Sequence, residues 1–304
     1  MIQCRHISRA LATAAIASIT FTAFAQPVEP VWSLAQKEKP AMLDTLKELV
    51  NIESGSRELD GLDKIANVLA RRFEALGAKV ELIDLGTDYI KFTDTPPQVG
   101  KALRATFTGT GAKKILLVAH MDTVYPRGML AQQPFKNEGE KVWGLGIADD
   151  RHGISVILHS LAILKAINFR DYGRITVLIN PDEEINSPAS RHLITQMGSE
   201  HDAVMSFEGS GSETDQVRLA TSGIAQAVLN VKGRASHAGS APERGINALT
   251  ELSHQILQMG DLSDPARNIK VNWTRASAGS GRNMIPPAAQ GFADVRVVRL
   301  SDLD

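Results

Sequence analysis

The chain has 304 residues, and its 33 Lys plus Arg against 34 Asp plus Glu leave a formal net charge of −1. That balance gives no electrostatic reason to expect a nucleic-acid partner. With 43% hydrophobic and 22% charged residues it reads as globular, not disordered, and its one cysteine, Cys4, excludes a disulfide framework.

The first 25 residues read as an export signal. Arg5, His6 and Arg9 form a basic start, an apolar run follows from Ala10 to Phe24, and Ala23-Phe24-Ala25 offers small residues for cleavage before Gln26. The run is too short to span a bilayer, which takes about 20 residues. Cleavage removes Cys4 and two arginines, so the expected product has a net charge of −3, no cysteine and no membrane attachment. It is expected in the periplasm or outside the cell.

Residues 40–53 have a helical period with Met42, Leu43, Leu46, Leu49 and Val50 on one face, and 61–76 repeat it before Gly77, a natural C-cap. Strand-like runs follow at 78–85 and 102–108, with a Pro96-Pro97 turn between them. Three short apolar runs come next. Ile115–Ala119 ends in His120-Met121-Asp122, Ile175–Ile179 in Asn180-Pro181-Asp182-Glu183-Glu184, and Ala203–Phe207 in Glu208. Each lacks the alternation of a half-exposed strand and so reads as buried parallel strand. A helical segment at 153–168 separates the first two, which predicts an α/β fold with a mostly parallel sheet. From about residue 222 the pattern changes. Strands at 223–232, 268–276 and 289–298 and a helix at 244–259 predict a small α+β domain with an open antiparallel sheet.

Four clusters carry ionisable groups: His120 with Asp122, Asp149 with Asp150, Asp182 with Glu183 and Glu184, and Glu208. In parallel sheets ligands sit beyond the carboxyl ends of strands, so these clusters are expected to converge there. One histidine and seven carboxylates cannot share a partly dehydrated site without a cation, and Arg151 is the only basic side chain beside them. The mixed imidazole and carboxylate set suits zinc better than calcium or magnesium. A zinc pair would need a bridging carboxylate, with another held off the metal as general base. His152, His159, His192, His201 and His254 read as ordinary turn, surface or core histidines. Gly144-Leu145-Gly146 lacks the third glycine and the frame of a dinucleotide loop, no Gly-x-Ser-x-Gly elbow occurs, and there is no phosphate-binding loop.

The strings AHMDTV (119–124), GLGIADD (144–150), NPDEE (180–184), SFE (206–208), ASHAG (235–239), NMIP (283–286) and ADVR (293–296) together resemble the glutamate carboxypeptidases. That group of co-catalytic zinc peptidases is related to aminoacylases and succinyl-diaminopimelate desuccinylase. The resemblance implies a signal peptide at 1–25, a catalytic domain at 26–221 and an inserted ferredoxin-like dimerisation or lid domain at 222–304. It implies two zinc ions per subunit of a homodimer. His120 and Glu208 would be ligands of one zinc, Glu184 of the other, and Asp149 would bridge them through a cis bond to Asp150. Asp122 would orient His120, and Glu183 would be the general base. His237 would reach a partner's active site to polarise the scissile carbonyl, and Asn283 and Arg296 would hold the substrate's terminal carboxylate. The expected reaction is release of a C-terminal glutamate-like residue from a peptide, N-acyl compound or folate. A deacylase of the same chemistry is the alternative. The family also continues for about a hundred residues beyond the position matching Asp304, where a last histidine ligand is expected. A non-catalytic truncated product is therefore a further alternative. Residues 185–190 and Gly209 depart from the family's pattern, which makes loop 209–216 a poor guide to specificity.

Overall fold

The computed structural model describes residues 28–91, 95–209, 217 and 219–303. The export signal at 1–25 and most of loop 209–216 lie outside them. The chain divides between Gly209 and Ser210 into two compact units.

The first unit opens with α1 (Val31–Val50) and α2 (Leu59–Leu76). α1 begins well before the expected residue 40, because Pro40 lies inside it instead of opening it. A helix tolerates that at the cost of one backbone bond. α2 ends where its composition says, with Gly77 left-handed at φ 101° and the Ala78 N–H donating to the Phe73 carbonyl. Then come β1 (Lys79–Ile83), β2 (Ala102–Thr108) and β3 (Lys114–His120). A short hairpin, β4 (Lys136–Glu138) and β5 (Lys141–Trp143), has no counterpart in the sequence-based expectation. Its three-residue strands are too short to show a period. α3 (His152–Ala166), β6 (Arg174–Asn180), α4 (Arg191–Ser199) and β7 (Ala203–Ser206) complete the unit.

The main sheet has the order β1-β2-β6-β3-β7. β6, β3 and β7 are mutually parallel, and β2 is antiparallel to both its neighbours, so it alone opposes the rest. One face packs Leu103, Ala105, Leu117, Val177 and Ile179 against Leu62, Ile65, Leu69 and Phe73 of α2 and Ile154, Ile157 and Leu161 of α3. The opposite face packs Ala102, Leu116, Val118 and Leu178 against Met197 of α4. Burial on both faces is why the central strands read as continuous apolar runs.

The second unit is β8 (Gly223–Lys232), α5 (Ala248–Gln258), β9 (Lys270–Ala278) and β10 (Ala288–Val297). Its sheet, β8-β10-β9, is antiparallel throughout. α5 starts four residues later than the periodicity predicts. The Asn247 side chain caps it, accepting from the Leu249 and Thr250 N–H groups at 3.0 and 3.2 Å. The core under α5 is small: Ala248, Leu252 and Ala289, with Leu229, Val231 and Ile256 beside them.

Candidate metal centre

β3 and β6 run side by side in register, His120 opposite Asn180, so both deliver their polar tails to the same end of the sheet. β7 joins on the other side of β3 and brings Glu208 there. His120 is buried, and its imidazole lies between carboxylates. Nδ1 is 3.2 Å from Asp122 and Nε2 is 2.8 Å from Asp149 and 3.7 Å from Glu208. Two sets of potential ligand atoms gather within 4.8 Å of one another: His120, Asp149 and Glu184, and His120, Asp150 and Glu208.

Asp149 and Asp150 sit in a wide turn (Ile147–Arg151) that enters α3, and the peptide bond between them is cis. Asp150 is buried and accepts from the His120 and Gly153 N–H groups at 3.3 and 3.1 Å. Only glycine fits at 153. A Cβ there would lie 2.1 Å from Asp150 Oδ1 and 2.4 Å from the Phe207 carbonyl oxygen. The backbones entering α3 and leaving β7 thus approach closely, which places Glu208 near the Asp pair.

Asp122 is fully buried and links three segments. It accepts from the His120 ring, from the Glu183 and Glu184 N–H groups at 3.1 Å each, and from the Ser56 hydroxyl at 2.7 Å. Arg151, also buried, donates to the Met121 carbonyl at 2.5 Å and to the Ser54 hydroxyl. The sequence marks Ser54 and Ser56 with no motif, and the structure shows both beneath the site. A serine carries no sign of its partner when that partner is 66 positions away.

One expected member of the cluster faces elsewhere. Asp182 accepts from Ser190 Oγ at 2.5 Å and from the Ala189 and Ser190 N–H groups at 2.8 and 3.1 Å. It ties down the loop that carries Glu183 and Glu184 and contributes no ligand atom to either set. Of the seven carboxylates in the clusters, Asp149, Asp150, Glu184 and Glu208 enter the two sets.

The electrostatics show what this arrangement calls for. Burial opposes a charge on His120, yet the Asp122 and Asp149 carboxylates at its two nitrogens lift it to about 11. Burial pushes Asp150 up to about 8 and Glu184 up to about 7, in the latter case with Asp149 adding to the effect. Glu183 and Glu208 are raised as well, by desolvation first and then by their anionic neighbours. Asp149 alone is lowered, by its bond to His120. Arg151, lowered to about 10 by burial, stays cationic at neutral pH. A proton on His120 offsets part of the carboxylate charge, and burial together with anionic neighbours still raises Asp150, Glu183, Glu184 and Glu208. A divalent cation fits the donor set of one imidazole and several carboxylates.

His237, Asn283 and Arg296 belong to the second unit and are exposed. His237 lies across an antiparallel bridge from Met284, and the Ala238 N–H donates to the Asn283 carbonyl at 2.9 Å. The His237 Nδ1 accepts from the Gly239 and Ser240 N–H groups at 3.1 Å each, which leaves the ring proton on Nε2. Arg296 is elsewhere. It lies near the far end of β10, beside Asp294 at 2.9 Å, whereas Asn283 precedes the start of that strand. The span from Ala288 to Arg296 is about 27 Å at the usual strand rise. Within one chain, Asn283 and Arg296 therefore lie toward opposite ends of β10.

Residues 219–304 match a family profile described as a peptidase dimerisation domain, and residues 103–254 match one described as peptidase family M28. Carboxypeptidase G2 of Pseudomonas sp. (strain RS-16) is 44% identical over 299 residues, covering 98% of this chain and 69% of that protein. Acetylornithine deacetylase of Proteus mirabilis is 24% identical, covering 87% of this chain and 70% of the other. Among solved structures, an M20 family metallo-carboxypeptidase of Sulfolobus solfataricus superposes with a TM-score of 0.66 at 17% identity, over 85% of this chain and 71% of that one. The dipeptidase Dug1p of Saccharomyces cerevisiae does so with 0.68 at 15% identity, over 90% and 73%.

Proposed function

Because the chain belongs to the M20 metallopeptidase and amidohydrolase family of carboxypeptidase G2, we propose that it is an exported dizinc carboxypeptidase. Its substrate is a peptide, N-acyl amino acid or folate-like amide with a C-terminal glutamate or similar residue. The observation that carries the reading is the gathering of His120, Asp149, Glu184 and Glu208 around one region, with Glu183 opening to solvent beside it. His120, Asp149, Glu184 and Glu208 would hold the metal. When bound, it supplies Lewis acidity toward water and the scissile carbonyl. Export rests on the basic and apolar pattern of residues 1–25.

Each protein group then has a task it is built for. Glu183 takes a proton from the attacking water and returns it to the leaving nitrogen. Desolvation raises its carboxyl above the ordinary carboxylate range, the direction a group that both takes and returns a proton needs. Asp122 fixes the backbone of Glu183 and Glu184 and the ring of His120 at once. His237, with its proton on Nε2, donates a hydrogen bond to the carbonyl oxygen as charge builds there. Arg296 binds carboxylate through its planar fork, and Asn283 adds an amide. The distance between Asn283 and Arg296 along β10 supports a site completed by two copies of the chain. One copy would bring His237 and Asn283, and the other Arg296.

The deacetylase likeness favours one second reading, hydrolysis of N-acyl amino acids. Glutamate release from an aminobenzoyl-glutamate amide, measured beside release from N-acetyl amino acids, separates the two. Glu183→Gln should lower turnover by about a thousandfold or more while zinc content stays at the wild-type level. Near-normal turnover in that variant would remove Glu183 from its role.

A further inference from the structure

We infer that Ser56 is a positioning residue that sets the metal affinity of the site through Asp122. The inference rests on the reading that His120 and Glu184 hold metal.

Asp122 divides its four hydrogen bonds between its two oxygens. Oδ1 takes the His120 ring at 3.2 Å and the Glu183 N–H at 3.1 Å. Oδ2 takes the Glu184 N–H at 3.1 Å and the Ser56 hydroxyl at 2.7 Å. The Ser56 contact is the shortest of the four. Two of the other donors are backbone groups, and the remaining one is the ligand histidine itself. Among the described residues, Ser56 is thus the one donor on Asp122 that comes from outside the two strand tails. It stops the carboxylate from turning about its last torsion, and that torsion sets both the plane of the His120 ring and the seat of the Glu183-Glu184 turn.

Ser56 is itself held to be accurate. Its N–H donates to the Thr123 carbonyl at 3.3 Å, and the Thr123 N–H donates to the Ser54 carbonyl at 3.1 Å. Gly55 between them has no room for a side chain, since a Cβ would lie 2.7 Å from the Tyr125 carbonyl oxygen. The segment after α1 is therefore laced to the residues just beyond Asp122, and Ser56 is 6% exposed. A buried serine with a slack partner would be mere core filling. This one is fixed by backbone on both sides and aimed at a carboxylate that orients a ligand.

The test measures zinc affinity by chelator competition, with the melting temperature of the metal-free protein as a control on folding. Ser56→Ala should weaken zinc binding by about tenfold to a hundredfold, the range found when a partner behind a metal ligand is removed. Ser56→Thr keeps the hydroxyl and should recover most of that loss. Ser54→Ala, in the same segment, removes a hydroxyl that donates to the Met121 carbonyl and accepts from Arg151 but does not touch Asp122, and it should lose clearly less zinc affinity than Ser56→Ala. If Ser56→Ala binds zinc as tightly as wild type, the inference is wrong. If Ser54→Ala or Ser56→Thr loses as much as Ser56→Ala, the loop and not the hydroxyl controls affinity, and the inference again fails. Should the alanine variant not fold, Ser56→Cys offers a weaker donor of similar size, and wild-type affinity there would overturn the proposal. A wild-type protein that takes up no zinc would instead sink the metal reading, and this inference with it.

Discussion

In the first unit, helices cover the central strands on both faces and the groups behind the site are sealed: His120, Asp122, Asp150 and Arg151 are buried, while Asp149, Glu183 and Glu208 open to solvent. In the second, one helix covers one face of three strands, and His237, Asn283 and Arg296 stand in solvent. The difference follows from what each set does. Groups that orient metal ligands from behind need a low-dielectric, over-determined setting, because a ligand whose support can relax toward water holds metal loosely. Groups that meet a substrate after it arrives need access, and their order comes from short local bonds such as the two N–H groups on His237. A thick core supports the first kind, and a thin one is enough for the second.

Substitutions can break this contrast, and their effects on stability should fall in a clear order. Asp122→Ala removes the acceptor of four donors, two of them buried, and should cost about 3–5 kcal/mol in urea unfolding, with zinc binding lost. A loss below about 1 kcal/mol would show that the shell is not over-determined. Leu252→Ala, in the thin core, should cost about 2–4 kcal/mol, but in the second unit alone. A two-step melt in which zinc binding survives the first step would establish that the units are independent, and one joint transition would refute it.

The third effect is a pH dependence of the metal-free protein. Asp150, Glu184 and His120 all hold their protons more tightly folded than unfolded, with folded values of about 8, 7 and 11. Their stabilisation is full below the unfolded values and is lost as pH rises through the folded ones. The metal-free protein should therefore melt several degrees lower at pH 8.5 than at pH 5, and zinc should shrink that drop. A metal-free melt that rises over this interval would contradict the burial of the cluster. The smallest effect on stability belongs to His237→Ala. At an exposed position it should move the melt by less than about 0.5 kcal/mol. Turnover should nonetheless fall about a hundredfold or more, through loss of a donor to the carbonyl oxygen. A large stability change there would erase the distinction between sealed and open groups.

Much of this is legible in the residues. The apolar runs of β3 and β6 mark buried strands, and their polar tails bring out the clusters at His120-Asp122 and Asp182-Glu183-Glu184. The run Ala203–Phe207 reads the same way, yet β7 is exposed along its length, and singling out Asp149, Glu184 and Glu208 as ligands takes the family resemblance. Partners set by long-range folding leave no such mark. Ser56 meets Asp122 across 66 positions and Arg151 meets Ser54 across 97, and no spacing rule connects them. Asp182 looks like its neighbours because composition does not reveal which way a carboxylate turns, and here Ser190 claims it. The separation of Asn283 from Arg296 is hidden for a similar reason. Thirteen residues look close along the chain, yet most of them belong to the extended strand Ala288–Val297.

Loops beside active sites usually accept insertions, because nothing fixes their length. The segment from Ser54 to Ser56 is different. Thr123 grips it from both sides of Gly55, so the number of residues between the two serines is counted out by hydrogen bonds. In extended chain, one added residue turns every later side chain to the opposite face. A single-codon insertion here would leave composition and charge almost untouched, yet it would swing the Ser56 hydroxyl away from Asp122. Indel tolerance along this chain should therefore drop to nothing at a three-residue stretch that carries no catalytic group.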